Sequence, residues 1–114
     1  MKRIVFFGIC GKMGMVMSSL LNKEDNIEII GGTDKINVGK DIGFGFKVTD
    51  DYEKIKDLSP DLIIDFTGPD VVYDNINWAL KNSIDIIVGA TGLDKGQIDS
   101  IKRLSKKSAS KVFI

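Results

Sequence analysis

A short apolar run, Ile4-Val5-Phe6-Phe7, passes without a break into Gly8-Ile9-Cys10-Gly11-Lys12-Met13-Gly14, and a periodic segment follows. No other stretch constrains the fold as tightly. A continuous apolar run closed by a glycine reads as a strand, Arg3 to Phe7, buried on both faces in the manner of parallel sheets. Three glycines placed after a strand and opening a helix have separate uses. The first permits a tight turn, the second lets backbone N–H groups approach a pyrophosphate, and the third lets helix pack closely on strand. The phosphates would sit at the helix N-terminus, drawn by unpaired N–H groups and the positive end of the helix dipole, with the Lys12 charge nearby. Met13, Val16, Met17, Leu20 and Leu21 recur at helical spacing, which predicts that this stripe faces the sheet.

The remainder repeats the alternation. Ile27 to Gly32 reads as a second strand, and Lys35 to Gly45 as a glycine-rich loop. A short strand at Phe46 to Val48 and a short helix at Tyr52 to Asp57 follow, the helix beginning beside Asp50 and Asp51 as possible caps. Asp61 to Phe66 is a further buried strand, and Val72, Ile76, Ala79 and Leu80 mark the inner face of the helix behind it. Ile84 to Val88 is another strand. A helix from about Asp94 to Lys107 turns Ile98, Ile101 and Leu104 inward and leaves Lys102, Arg103, Lys106 and Lys107 in solvent. Lys111 to Ile114 is the start of a last strand, whose apolar run stops without a cap, as in a domain cut from a longer protein. The pattern predicts an α/β fold, a doubly wound parallel sheet, with residues 1–114 forming one dinucleotide-binding domain.

Composition narrows the chemistry. Sixteen basic residues balance sixteen acidic ones, so no bulk field recruits nucleic acid or an anionic membrane, and any anion must be held locally. No apolar run has the length of a membrane span, and the basic, apolar start lacks a cleavage signal. The lone cysteine, Cys10, permits no internal disulfide, which makes a reduced cytoplasm the expected compartment. The chain has no histidine, and with it go the commonest general acid and base and most zinc sites. Chemistry here would be borrowed from a cofactor or from another part of the protein.

Asp34 stands at the end of the second strand, where a carboxylate can accept hydrogen bonds from an adenine-ribose hydroxyl. Lys35 beside it suits the extra phosphate of NADP, which predicts relaxed choice between the two cofactors; a solvated lysine is the alternative. Cys10 reads as a small residue fitting where backbone meets phosphate. Ligands in such sheets collect at the carboxyl ends of strands, and two more loops lie there: Asp65-Phe66-Thr67-Gly68-Pro69 and Gly89-Ala90-Thr91-Gly92. Both combine a hydroxyl with glycines, suited to a ribose or nicotinamide. Asp65 has an alternative role, capping the turn with Pro69 starting the helix.

The turn ending Gly-Lys-Met-Gly, then Asp65-Phe66-Thr67 with Pro69, then Gly89-Ala90-Thr91-Gly92, in that order and spacing, resemble the amino-terminal domain of the dihydrodipicolinate (4-hydroxy-tetrahydrodipicolinate) reductase family. The resemblance spans nearly the whole chain. It implies a Rossmann-type fold, a cytoplasmic enzyme of lysine and diaminopimelate synthesis, and hydride transfer from NADH or NADPH to a small cyclic substrate. It further implies cofactor contacts from Gly8, Ile9, Cys10, Gly11, Lys12, Met13, Asp34, Lys35, Phe66, Thr67, Gly89, Ala90 and Thr91, with Thr91 also touching substrate. The family's catalytic residues lie in a second domain, which would begin beyond Ile114, so none is assigned here. The 114 residues alone are then expected to be inactive, and the full-length protein a homotetramer, without nucleic-acid or membrane partners. One departure is Ala90, where the family usually has threonine. A Rossmann-type domain that senses NAD, coenzyme A or a nucleotide without catalysis is the alternative.

Overall fold

The computed structural model describes residues 1–89 and 92–114. Five strands alternate with four helices. The first, β1 (Lys2–Phe7), leads through the glycine turn to α1 (Lys12–Leu21), and β2 (Ile27–Thr33) and α2 (Tyr52–Asp57) follow. The second half runs β3 (Leu62–Asp65), α3 (Val72–Lys81), β4 (Asp85–Val88), α4 (Lys95–Lys107) and β5 (Val112–Phe113). All pairings are parallel, in the order β2-β1-β3-β4-β5. The chain leaves β1 towards one edge to form β2, then crosses back to lay β3 on the other side. The carboxyl ends of β1 and β3 are therefore neighbours whose connections diverge, and that divergence opens a crevice where open α/β sheets bind ligands.

Both faces of the sheet are covered, so strand residues alternate between two cores. On one face Val5, Phe7, Ile63, Ile86 and Val88 pack against Ile55 of α2, the Val72, Ile76, Ala79 and Leu80 stripe of α3, and Ile101 of α4. On the other, Ile4, Phe6, Ile29 and Ile64 pack with Ile9 and Val48, against Met17 and Leu21 of α1 and the rings of Phe44 and Phe46. Each such buried side chain contributes about 2 kcal/mol against exposure. Two helix starts carry side-chain caps: Asp51 accepts from Glu53 N at the start of α2, and Asp94 with Gln97 forms a capping box on α4.

The architecture matches the expected doubly wound sheet, with differences at particular points. In α1 the buried residues are Gly14 and Ser18, with Met17 and Leu21 half-buried, whereas Met13, Val16 and Leu20 are exposed. The expected stripe is rotated because a β-carbon on Gly14 would lie 2.1 Å from the Gly8 carbonyl oxygen. Contact with the turn sets which side of the helix faces in, and the hydrophobic pattern does not. The short strand expected at Phe46 to Val48 is reduced to isolated bridges, Thr33 with Thr49 and Asp41 with Lys47. Here the Asp41 carboxylate collects the N–H groups of Gly43, Phe44 and Gly45, and both glycines have positive φ, so the backbone curls instead of pairing. Finally, α3 begins at Val72 and not at Pro69, after a turn in which Val71 and Val72 N donate to Gly68 O.

Candidate functional site

The glycine turn is built by backbone alone. Gly8 adopts φ +78°, a conformation that favours glycine, and both its N–H and that of Ile9 donate to the Thr33 carbonyl, at 2.9 and 3.1 Å. Gly8 also sits against the next turn, since a β-carbon there would come within 3.0 Å of Phe66 C and Thr67 N. Gly11 holds the N-cap position of α1 and offers no side chain, so the first-turn N–H groups have no side-chain cap, and no acidic residue stands in that turn. By contrast α2 and α4 carry aspartate caps. An uncapped helix start with Lys12 as its first residue suits an anion.

Asp34 follows β2 and is fastened to the turn. Its Oδ2 accepts from Cys10 N at 2.9 Å, and its Oδ1 from Lys35 N and Ile36 N at 2.7 and 3.3 Å. The bond to Cys10 holds the acid beside the glycine turn across the crevice mouth.

At the end of β3 the construction is different. The Asp65 side chain is fully buried, and its carboxylate accepts from Thr67 N (2.7 Å), Thr67 Oγ1 (2.5 Å) and Asn75 Nδ2 (2.9 Å). Asn75, buried on α3, accepts in turn from the Tyr52 hydroxyl of α2. Burial pushes the Asp65 carboxyl above its usual range, against the opposing hydrogen bonds from Thr67 and Asn75. Burial likewise raises the Tyr52 phenol, with the nearby Asp65 charge adding to it. The Phe66 ring stacks on Phe6 at 6.4 Å, and Gly89 leaves room for it: a β-carbon on Gly89 would lie 2.2 Å from Phe66 Cε1. A β-carbon on Gly92 would similarly meet Pro69 at 2.3 Å. Gly89 and Gly92 thus lie close against Phe66 and Pro69 of the second strand-end turn.

These elements enclose a cavity of about 440 Å³ at the divergence of β1 and β3. Of the residues singled out in the sequence, Gly8, Gly11, Asp34, Lys35, Phe66 and Thr67 line it together. Ile9 does not; its side chain is in the core and its N–H is given to Thr33. Cys10, Lys12, Met13 and Gly89 do not line it, and Lys12 and Met13 are exposed. Ala90 and Thr91 lie outside the described residues. The structure adds Thr33, Asp50, Tyr52, Gly68, Asp70 and Val71 to the lining. Tyr52 reads in sequence only as the start of a short helix. Asn75 had a usable signal, an amide in line with the apolar stripe of α3.

Comparison with known proteins agrees with this geometry. Residues 2–114 match the family described as dihydrodipicolinate reductase, N-terminus. A 4-hydroxy-tetrahydrodipicolinate reductase of Carboxydothermus hydrogenoformans is 35% identical over 113 residues, covering 92% of this chain and 43% of that protein. One of Dictyoglomus turgidum is 33% identical over 120 residues, covering 100% of this chain and 45% of that protein. Among solved structures, the dipicolinate-bound dihydrodipicolinate reductase of Paenisporosarcina sp. TG-14 superposes with a TM-score of 0.77 at 25% identity, over 91% of this chain and 43% of that one. A hyperthermophilic archaeal homoserine dehydrogenase in complex with NADPH gives a TM-score of 0.77 at 18% identity, a likeness of fold. This chain spans less than half the length of these relatives. It belongs to the dihydrodipicolinate reductase family and corresponds to its amino-terminal, dinucleotide-binding domain.

Proposed function

We propose that the domain binds NADH or NADPH across the crevice between β1 and β3, as the cofactor-holding part of a 4-hydroxy-tetrahydrodipicolinate reductase acting in lysine and diaminopimelate synthesis. The observation that carries this reading is the convergence of Gly8, Gly11, Asp34, Lys35, Phe66 and Thr67 on one cavity. The residues fit the group. Gly11 and the uncapped first turn of α1 give the phosphates a cradle that a capping side chain would fill. Asp34, held by Cys10 N, presents acceptor oxygen to the adenine ribose, and Lys35 stands where an added phosphate would need a cation. Phe66 and Thr67 take the nicotinamide end. Gly89, Ala90 and Thr91 complete that end, with Thr91 reaching substrate.

When bound, the dinucleotide supplies a hydride, which in the complete enzyme reduces a small cyclic substrate. What this chain's own residues contribute is binding and orientation. No acid or base is assigned within it, so the proton that accompanies reduction would come from residues outside these 114. The complete enzyme would be a cytoplasmic homotetramer, and the 114-residue chain alone inactive as a reductase. Titration of the purified chain with NADH, followed by cofactor fluorescence, tests the reading: saturable binding that weakens about tenfold or more in Asp34→Ala is expected. Absence of binding to either NADH or NADPH would sink it.

A further inference from the structure

The buried carboxylate of Asp65 gathers three donors: the Thr67 N–H, the Thr67 hydroxyl and the Asn75 amide. An ionised carboxylate only accepts. With Asp65 ionised, it fixes the direction of each hydrogen bond joined to it. Asn75 must turn its NH2 group towards Asp65, which leaves its carbonyl to accept from the Tyr52 hydroxyl. The Thr67 hydroxyl must give its single proton to Asp65 at 2.5 Å, and its oxygen receives a longer bond from the Asn75 amide at 3.3 Å. Among the described residues no buried side-chain polar atom lacks a hydrogen-bond partner. Thr67 lines the cavity with no proton left to give.

We propose that the Tyr52, Asn75 and Asp65 network makes Thr67 an acceptor-only reader, which selects ligands that present an N–H or O–H donor at this end of the cavity. The inference rests on the cofactor reading above and adds the polarity of one contact to it. Two groups of a nicotinamide dinucleotide have the required chemistry, the carboxamide NH2 and the hydroxyls of the adjoining ribose. Tyr52, Asn75 and Asp65 are positioning residues; Thr67 makes the contact. An acceptor-only hydroxyl disfavours a ligand that offers another acceptor in the same place, because two oxygens would then face each other without a proton.

Calorimetry at pH 7.5 tests this with three ligands: NADH, its 3-acetylpyridine analogue, which carries a methyl ketone for the carboxamide, and an analogue lacking the nicotinamide-ribose 2′-hydroxyl. One analogue is expected to bind about tenfold more weakly than NADH, and which one identifies the donor. In Thr67→Val that gap closes, and in Thr67→Ser it persists. A change of scaffold alone would weaken all three ligands together. Carbon-13 NMR of the unliganded wild-type chain gives a reading independent of these variants, with the Asp65 carboxyl expected to be ionised at pH 7.5. A protonated Asp65, equal affinity for the three ligands, or a gap that survives in Thr67→Val would overturn the proposal. If none of the three ligands binds, the cofactor reading falls and this inference falls with it.

Discussion

Two turns meet at the divergence of β1 and β3, and they are built on opposite principles. The turn from Gly8 to Gly14 is held by backbone: two N–H groups on the Thr33 carbonyl, glycine at a positive φ, and a helix start left bare of side chains. The turn from Asp65 to Pro69 is held by a buried side-chain network drawn from β3, α3 and α2. The first leaves the N–H groups of its helix start without a side-chain cap, whereas the second ties its polar side chains to one another. A cavity with one wall of each kind can hold phosphates by charge and dipole while reading the other end of a ligand by hydrogen-bond polarity.

That contrast is open to attack by substitution. The largest effect is expected from Gly14→Ala, whose methyl would lie 2.1 Å from the Gly8 carbonyl oxygen. It should cost about 3 kcal/mol in urea unfolding, while Gly11→Ala, with its nearest atom at 3.4 Å, costs about 1 kcal/mol or less. Equal losses at the two positions would show that the turn is not set by this contact. Next, Asp65→Ala strands three donors in a buried place and should cost about 2 kcal/mol, with Asn75→Ala costing less.

A smaller and more diagnostic effect is the pH dependence of Asp65. Its folded carboxyl lies above the ordinary value of 3.8, so the folded state holds that proton more tightly than the unfolded chain does. Its contribution to stability is fully present below 3.8, declines as pH rises through the raised folded value, and is level above it. Asp41 runs the other way, because the N–H groups of Gly43, Gly45 and Phe44 lower it, and its contribution is lost as pH falls. Comparing wild type with Asp65→Asn in urea across this range should remove the decline and leave the Asp41 limb. A difference curve that rises with pH would reverse the sign assigned to Asp65. The smallest expected effect is Lys35→Ala, which should weaken NADPH severalfold and leave NADH little changed by calorimetry, as for one exposed charge on a phosphate.

The two turns also differ in how far they were legible. The glycine spacing after β1, the acid after β2 and the alternating apolar runs identified the parallel α/β alternation and the glycine turn, because these depend on local backbone conformation and on residues near in sequence. The exposed positions Met13, Val16 and Leu20 were misassigned for the complementary reason. Apolar periodicity locates a helix, but the rotation of α1 is set by the approach of Gly14 to Gly8, a contact whose steric cost no hydrophobic pattern registers. Asp65 reads in sequence as either a cap or a functional group, and in the structure it accepts from the Thr67 N–H and hydroxyl, as a cap does.

By itself, then, the amino-acid sequence determined the parallel α/β alternation, the glycine turn and the acid beside it, since each follows from propensity, glycine conformation and short-range spacing. Only the tertiary structure decided which residues share the cavity. Tyr52 and Asn75 stand 13 and 10 residues from Asp65, on separate helices; the place of Asn75 in the apolar stripe of α3 marks it as buried, but nothing local pairs either residue with Asp65. Their meeting depends on how α2 and α3 pack over β3, where the buried Asp65 carboxyl and Asn75 amide find hydrogen-bond partners in each other and in Tyr52.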